Sequence, residues 1–245
     1  GASTREVVSS ARRGQKKRNP VQDFIRLEKP NNASDGPLAI SVFSGAGISD
    51  FGYLMAGYRF RVQVEKDPRR ANIGRVNFPG SEWLTGDVRE LHEEIVRAFN
   101  VRSKGRPLEL LVATPPCQGM SSSNSSRGKR RSETARLHEQ KNRLALEAAR
   151  LCRSLQPFVL VMENVRQIRT LHVSTPEGDR LLLDVIKETI GENYAIWDTS
   201  LNVADYGVPQ NRYRAVIVAV RKDIFCVGMR AEELRVWPAP THGPT

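Results

Sequence analysis

The feature that most constrains this chain is a rhythm. Short apolar runs, each ending in a breaker, alternate with stretches of helical period. Residues 38–43 (LAISVF) run into Gly45-Ala46-Gly47, and a helix-like stretch follows from about Ser49 to Ala56. Residues 59–64 alternate like a strand, and Pro68 stands where a first helical turn tolerates proline, predicting a helix to about Val76. Leu91, Ile95, Ala98 and Phe99 make one helical face, and residues 108–113 (LELLVA) a further buried strand. Leu144, Ala148, Leu151 and Leu155 form the stripe of a long helix, residues 158–162 (FVLVM) a strand, and Leu182, Val185, Ile186 and Ile190 another helix. Residues 213–220 (YRAVIVAV) are the last strand, and no internal repeat interrupts the order. Strands alternating with helices predict a doubly wound α/β sheet covered on both faces. In such sheets ligands sit beyond the carboxyl ends of the strands, so the informative residues are those that follow each apolar run.

Composition sets the outer limits. At 245 residues the chain can bury a full core without staples. No apolar run reaches the ~20 residues of a membrane span, and the N-terminus lacks the apolar core of a signal peptide. Cys117, Cys152 and Cys226 are widely spaced with no CxxC, which predicts neither a disulfide scaffold nor a cysteine–zinc cluster. His92, His138, His172 and His242 share no ligand spacing, so no metal is expected. These features fit a reducing, cytoplasmic setting, with nucleoid association if the source is bacterial. Lys and Arg number 38 against 27 acids, a net charge of +11, and nucleic acid is the commonest partner of such a chain. Residues 1–37 carry eight of those cations and no sustained period, and read as a basic, flexible tail; residues 38–245 read as the folded domain. Residues 121–136, rich in Ser, Arg and Lys, read as a loop.

The residues after the first three strands suggest a cofactor. Phe43-Ser44-Gly45-Ala46-Gly47 allows a tight turn and close backbone approach, but is only G-x-G and weak alone. Glu65 closes the second strand, where a carboxylate can accept from both hydroxyls of a ribose. Asp87, in Gly86-Asp87-Val88, can accept from an adenine amino group with Val88 against the ring. Each acid alone reads as a solvated loop carboxylate. Three such sites after three successive strands describe an adenosine-containing cofactor.

The later strands suggest chemistry. In Thr114-Pro115-Pro116-Cys117-Gln118-Gly119 two prolines stiffen the backbone before a cysteine, and a basic loop follows. Such a thiol can act as a nucleophile, whereas an inert buried role suits Cys152 and Cys226 better. Glu163, in Glu163-Asn164-Val165, follows an apolar run and is costly to place there without a task. Arg212 and Arg214 stand two apart before the last strand, so both can face one side; as an isolated pair they read as surface arginines.

Taken in order, FSGAG, VEKDP, GDV, PPCQG, ENV and YGVPQNRYR, with Leu144 heading the helix after the loop, closely resemble the cytosine-C5 DNA methyltransferase family over about residues 38–243. The resemblance implies the Rossmann-like fold of S-adenosylmethionine-dependent methyltransferases, with an antiparallel last strand. It implies a thiolate of Cys117 adding to C6 of a flipped-out cytosine, a protonated Glu163 at N3, Arg214 at O2, and Arg212 supporting the site or a phosphate. The methyl group then passes from S-adenosyl-L-methionine to C5, leaving S-adenosyl-L-homocysteine. Phe43, Ser44, Gly45, Gly47, Glu65, Asp87, Val88, Pro115 and Leu144 would form the cofactor site. Double-stranded DNA would be the partner, met by Arg127, Lys129, Arg130 and Arg131 of the loop and by Gln210.

Two departures qualify the match. Ile48 stands where the family often has glycine, which predicts added bulk near the cofactor. The target-recognition region and two further motifs are not found; Trp237-Pro238-Ala239-Pro240 resembles only their lead-in. Either a second polypeptide carries them or this chain is a fragment; the first is the expectation, with the partner docking on an apolar patch beside an unpaired last strand. A restriction–modification system is the expected setting. The alternatives are a tRNA cytosine-C5 methyltransferase, whose Cys-Phe-Thr tripeptide is absent at Cys226, and a non-catalytic DNA-binding subunit, which typically loses the Cys or Glu kept here.

Overall fold

A computed structural model describes residues 36–116, 143–225 and 230–243. The expected tail lies outside these residues apart from Gly36 and Pro37. So do Cys117, the loop cations Arg127, Lys129, Arg130 and Arg131, and Cys226.

In chain order the elements are β1 (Leu38–Val42), α1 (Asp50–Met55), β2 (Arg59–Glu65), α2 (Pro68–Asn77), β3 (Glu82–Thr85), α3 (His92–Ser103) and β4 (Leu110–Ala113). They continue with α4 (Leu144–Leu155), β5 (Val159–Asn164), β6 (His172–Thr175), β7 (Gly178–Leu181), α5 (Leu182–Ile190), β8 (Tyr194–Asn202) and β9 (Tyr213–Arg221). Seven strands make one sheet in the order β3-β2-β1-β4-β5-β9-β8, and β6 and β7 form a separate hairpin. Strands β1 to β5 run parallel; β9 is antiparallel to both β5 and β8. This is the α/β, Rossmann-like arrangement with an antiparallel last strand.

Alternation along each strand builds two cores. On one face Leu38, Ile40, Val42, Leu111, Ala113, Leu160, Met162 and Ile217 pack against α3, α4 and α5. On the other, Ala39, Leu110 and Val112 meet Phe51 of α1, Ala71 of α2 and the ring of Phe78. Pro68 takes the first turn of α2 behind an Asp67 cap, whose side chain accepts from the Arg69 amide. Cys152 is fully buried on its α4 stripe, and burial pushes its thiol up to about 12, as befits an inert core cysteine.

One expectation is overturned. The last strand is not an unpaired edge: β9 is bonded along its length to β5 on one side and to β8 on the other. The outer position belongs to β8, a strand the hydrophobic pattern did not reveal. Its middle, Ile196 to Leu201, is only half-buried and includes Asp198, Thr199 and Ser200.

Candidate active site

The chain leaves β1 for β2 on one side and β4 for β5 on the other. The sheet therefore reverses its order between β1 and β4, and a crevice opens beyond the strand ends there. A cavity of about 410 Å³ occupies it, within the size range of small-molecule sites. Of the expected cofactor residues, Phe43, Gly45, Glu65, Asp87, Val88 and Leu144 line it. Val64, Lys66, Arg70, Gly86, Arg89, Thr114 and Pro116 line it as well. Phe43 adopts φ 61°, a left-handed conformation uncommon for a bulky residue, and its carbonyl accepts from the Thr114 hydroxyl at 3.0 Å.

Three expected members lie elsewhere. Ser44 is turned inward, its hydroxyl 2.9 Å from the Ser41 carbonyl. Gly47 (φ 78°) backs onto Phe78, whose ring lies 2.7 Å from where a Cβ would stand. Pro115 directs its carbonyl to the side-chain amide of Asn164, which donates at 3.1 Å, so Pro116 reaches the cavity instead. Ile48 adds no bulk there: its side chain is 68% exposed and does not line the cavity.

The two cofactor acids differ. Glu65 Oε2 accepts from the Gly45 amide at 2.9 Å and Oε1 from the Asp67 amide at 2.8 Å. Each oxygen keeps a lone pair for a ligand. Asp87 is saturated. Its Oδ1 accepts from the Arg89 amide (3.0 Å) and Nε (2.9 Å), and its Oδ2 from Arg89 Nη2 (2.7 Å) and Lys66 Nζ (2.9 Å). Arg89 first, then Lys66, holds this carboxyl well below the usual carboxylate range. Neither cation was legible as a partner, because sequence does not show which way a long side chain turns. A ligand amino group must displace one of them to reach Asp87. Arg89→Ala is therefore expected to tighten binding of an adenosine ligand about 3- to 10-fold, the scale of one released charge-assisted contact. Calorimetry checks this; weaker binding would mean that Arg89 itself grips the ligand.

The chemical end is built from β4, β5 and β9. Glu163, one residue before the end of β5, stands opposite Val216 of β9, and its Oε1 meets Arg214 Nε at 2.7 Å. Burial pushes the Glu163 carboxyl up, against the pull of Arg214 and Arg212. Asn164 is buried and ties the Pro115 carbonyl, so the segment leading into position 117 is fastened beside Glu163. Arg212 is exposed and lies just before β9, its amide donating to Asn202 Oδ1 at 3.0 Å. Gln210 lies on the exposed turn ahead of it, in a shallow hollow shared with Asn211 and His242. Among the described residues no cluster of His, Cys, Asp or Glu could hold a metal ion, and no helix is long and apolar enough to cross a membrane.

A doubly wound sheet with an antiparallel last strand, a cavity at its switch point and an acid–arginine pair beside it defines a Rossmann-like methyltransferase. Residues 39–237 match the family described as C-5 cytosine-specific DNA methylase. The chain belongs to that family, and its class is that of the DNA cytosine-5 methyltransferases. It is 34% identical over 214 residues to the type II methyltransferase M.AquIA of Picosynechococcus sp., covering 84% of this chain and 77% of that one. It is 31% identical over 185 residues to M1.HphI of Haemophilus parahaemolyticus, covering 75% and 45%. A protein encoded in an Escherichia coli prophage, assigned as a DNA modification methyltransferase, shares the fold with a TM-score of 0.59 and 26% identity, over 76% of this chain and 47% of that one. Apart from M.AquIA, the chain thus spans about half the length of these relatives.

Proposed function

We propose that this chain is the catalytic portion of an enzyme that methylates C5 of cytosine in double-stranded DNA, using S-adenosyl-L-methionine and a covalent adduct to Cys117. The observation that carries the reading is the Glu163–Arg214 pair, next in sequence to the Asn164 that ties the Pro115 carbonyl, with Pro116 lining the cavity. The cavity suits an adenosine group: Phe43, Val64, Val88 and Leu144 offer apolar walls, and Glu65 has lone pairs free for ribose hydroxyls. Asp87 would reach the adenine amino group once Lys66 or Arg89 swings away. When bound, the cofactor supplies a methyl group made electrophilic by its sulfonium.

The chain's own residues do the rest. Cytosine C5 is a poor nucleophile until a thiolate adds to C6. Cys117 donates that electron pair, and the ring's electrons localise on C5. The charge that would build on N3 is met by the proton of Glu163, a neutral acid that burial favours. Arg214 transfers its guanidinium from Glu163 to the cytosine O2, which removes the counter-charge that now favours ionised Glu163. Loss of the C5 proton to a base then expels the thiolate. A base in a stacked duplex cannot reach these groups, so the cytosine is flipped out. Arg127, Lys129, Arg130, Arg131 and Gln210 would hold the DNA backbone, with Arg212 supporting the site. Base-edge recognition would come from elements outside these residues, which we place on a second polypeptide, in a restriction–modification setting like that of the type II relatives.

The test is transfer of labelled methyl from S-adenosylmethionine to duplex DNA or tRNA, by the chain alone and with a recognition polypeptide encoded beside it. The label should appear as 5-methylcytosine in DNA, weakly from the chain alone and at a defined site with the partner. Label in tRNA, or none with any partner, would overturn the reading.

A further inference from the structure

Behind the Gly45–Gly47 turn lies a polar plug that the proposed chemistry does not use. Asp50, the first residue of α1, is completely buried. Its Oδ1 accepts from the Ser41 hydroxyl at 3.0 Å, and its Oδ2 from Gln63 Nε2 at 2.7 Å. The Ser41 hydroxyl in turn faces that of Ser44, which donates at 3.0 Å; Ser44 Oγ accepts from the Val64 amide at 3.3 Å. The backbone closes the ring: the Gly47 amide donates to the Ser44 carbonyl at 2.8 Å, and the Asp50 amide to the Gly47 carbonyl at 3.1 Å. A hydroxyl has one proton: Ser41 gives its own to Asp50, which leaves the Ser41 oxygen as an acceptor facing Ser44, whose proton is shared between that oxygen and the Ser41 carbonyl at 2.9 Å. From the other side, Asn77 of α2 donates to the Ala46 carbonyl at 2.8 Å.

We infer that Asp50 is a positioning residue: its ionised carboxylate orients the Ser41–Ser44 relay and thereby holds the glycine turn in its cofactor-receiving form. The charge is costly where it stands. Burial raises this carboxyl from 3.8 to about 6, against the lowering hydrogen bonds of Gln63, Ser41 and Ser49. The group therefore contributes stability below its unfolded value of 3.8, and that contribution is lost as pH rises through about 6. At pH 8 the folded chain carries a buried anion that a purely structural residue would not need. Ser41 on β1, Gln63 on β2 and Ser49 in the turn, the polar groups against it, bear no charge. The one titratable neighbour recorded among the described residues is Tyr53 of the same helix, which stays neutral because burial, then Asp50, pushes it up to about 12. A role for the turn toward an adenosine cofactor rests on the reading of the cavity given above.

The test uses Asp50→Asn in the full chain, which keeps the shape and removes the charge. At pH 8 the unliganded variant should melt roughly 5 °C higher than the parent, and the difference should vanish near pH 4. Amides of residues 44–49 should nevertheless exchange with solvent at least 10-fold faster in the variant. That pairing of global gain with local loss is one that a mere core residue does not produce. A lower melting temperature with faster exchange throughout, or unchanged exchange in 44–49, would overturn the inference. S-adenosylhomocysteine affinity, measured on both chains at pH 5 and pH 8, separates the two readings. The parent should bind about 10-fold tighter at pH 8 than the variant, and equally at pH 5. Absence of binding by the parent would defeat the cofactor reading alone, because the melting and exchange results still decide the role of Asp50.

Discussion

Glu163→Gln should slow methyl transfer about 10³-fold, within the range for loss of a positioned general acid. The amide has the same shape and offers its oxygen to Arg214 as the carboxylate does, 2.7 Å from Nε. It can also donate a hydrogen bond to N3. What it lacks is a transferable proton, so the loss isolates proton transfer from shape and contact. Cofactor affinity should stay within about twofold, since Glu163 does not line the cavity. Rapid-quench measurement with labelled cofactor and duplex DNA checks both quantities. A variant keeping a tenth of the parent rate would show that N3 needs only a donor, and that the burial raising the Glu163 carboxyl serves something else.

Cys117→Ser should abolish turnover. An alcohol is deprotonated far less readily than a thiol, so serine does not supply the anion that adds to C6. The described lead-in is held in place: Asn164 donates to the Pro115 carbonyl, and prolines at 115 and 116 stiffen the backbone. DNA with 5-fluorocytosine at the target makes the step visible, because fluorine at C5 blocks the final proton loss and the adduct persists. The parent chain, with its recognition partner, should give a denaturation-resistant complex. The serine variant should give none while binding cofactor normally. An adduct in the variant would assign the nucleophile to another residue.

What could be read from sequence divides along physical lines. Five sheet strands were legible because they are buried runs, such as LLVA in β4, where all four residues are buried. Positions after them were legible because parallel sheets put ligands there. β8 was not: as the sheet's border it needs only one paired edge, and Asp198 within it pairs with Arg169 and Lys187 instead of entering a core. The saturation of Asp87 was hidden because Lys66 comes from a different loop, 21 positions away. Asp50 was hidden for a different reason. An acid at the start of a helix reads as a solvated favourable charge, and only the tertiary approach of Ser41 and Gln63 reveals it as buried. Ile48 misled in the reverse sense: a neighbour of the glycine turn in sequence, it points to solvent.

The insertion of β9 between β5 and β8 has a consequence for biosynthesis. β5 can pair with β4 as soon as it is made, but its other edge waits for Tyr213–Arg221. At a ribosomal pace of roughly 5–20 residues per second, that edge stands open for several seconds, with the apolar Leu160 and Met162 beside it. An open strand edge of this kind recruits other strands, including those of sister chains. β8 emerges meanwhile and has no sheet to join until β9 bridges it to β5. The nascent chain is therefore most exposed to aggregation between synthesis of Asn164 and Arg221, and substitutions that weaken β9 should lower the yield of soluble protein more than they lower the activity of the molecules that fold.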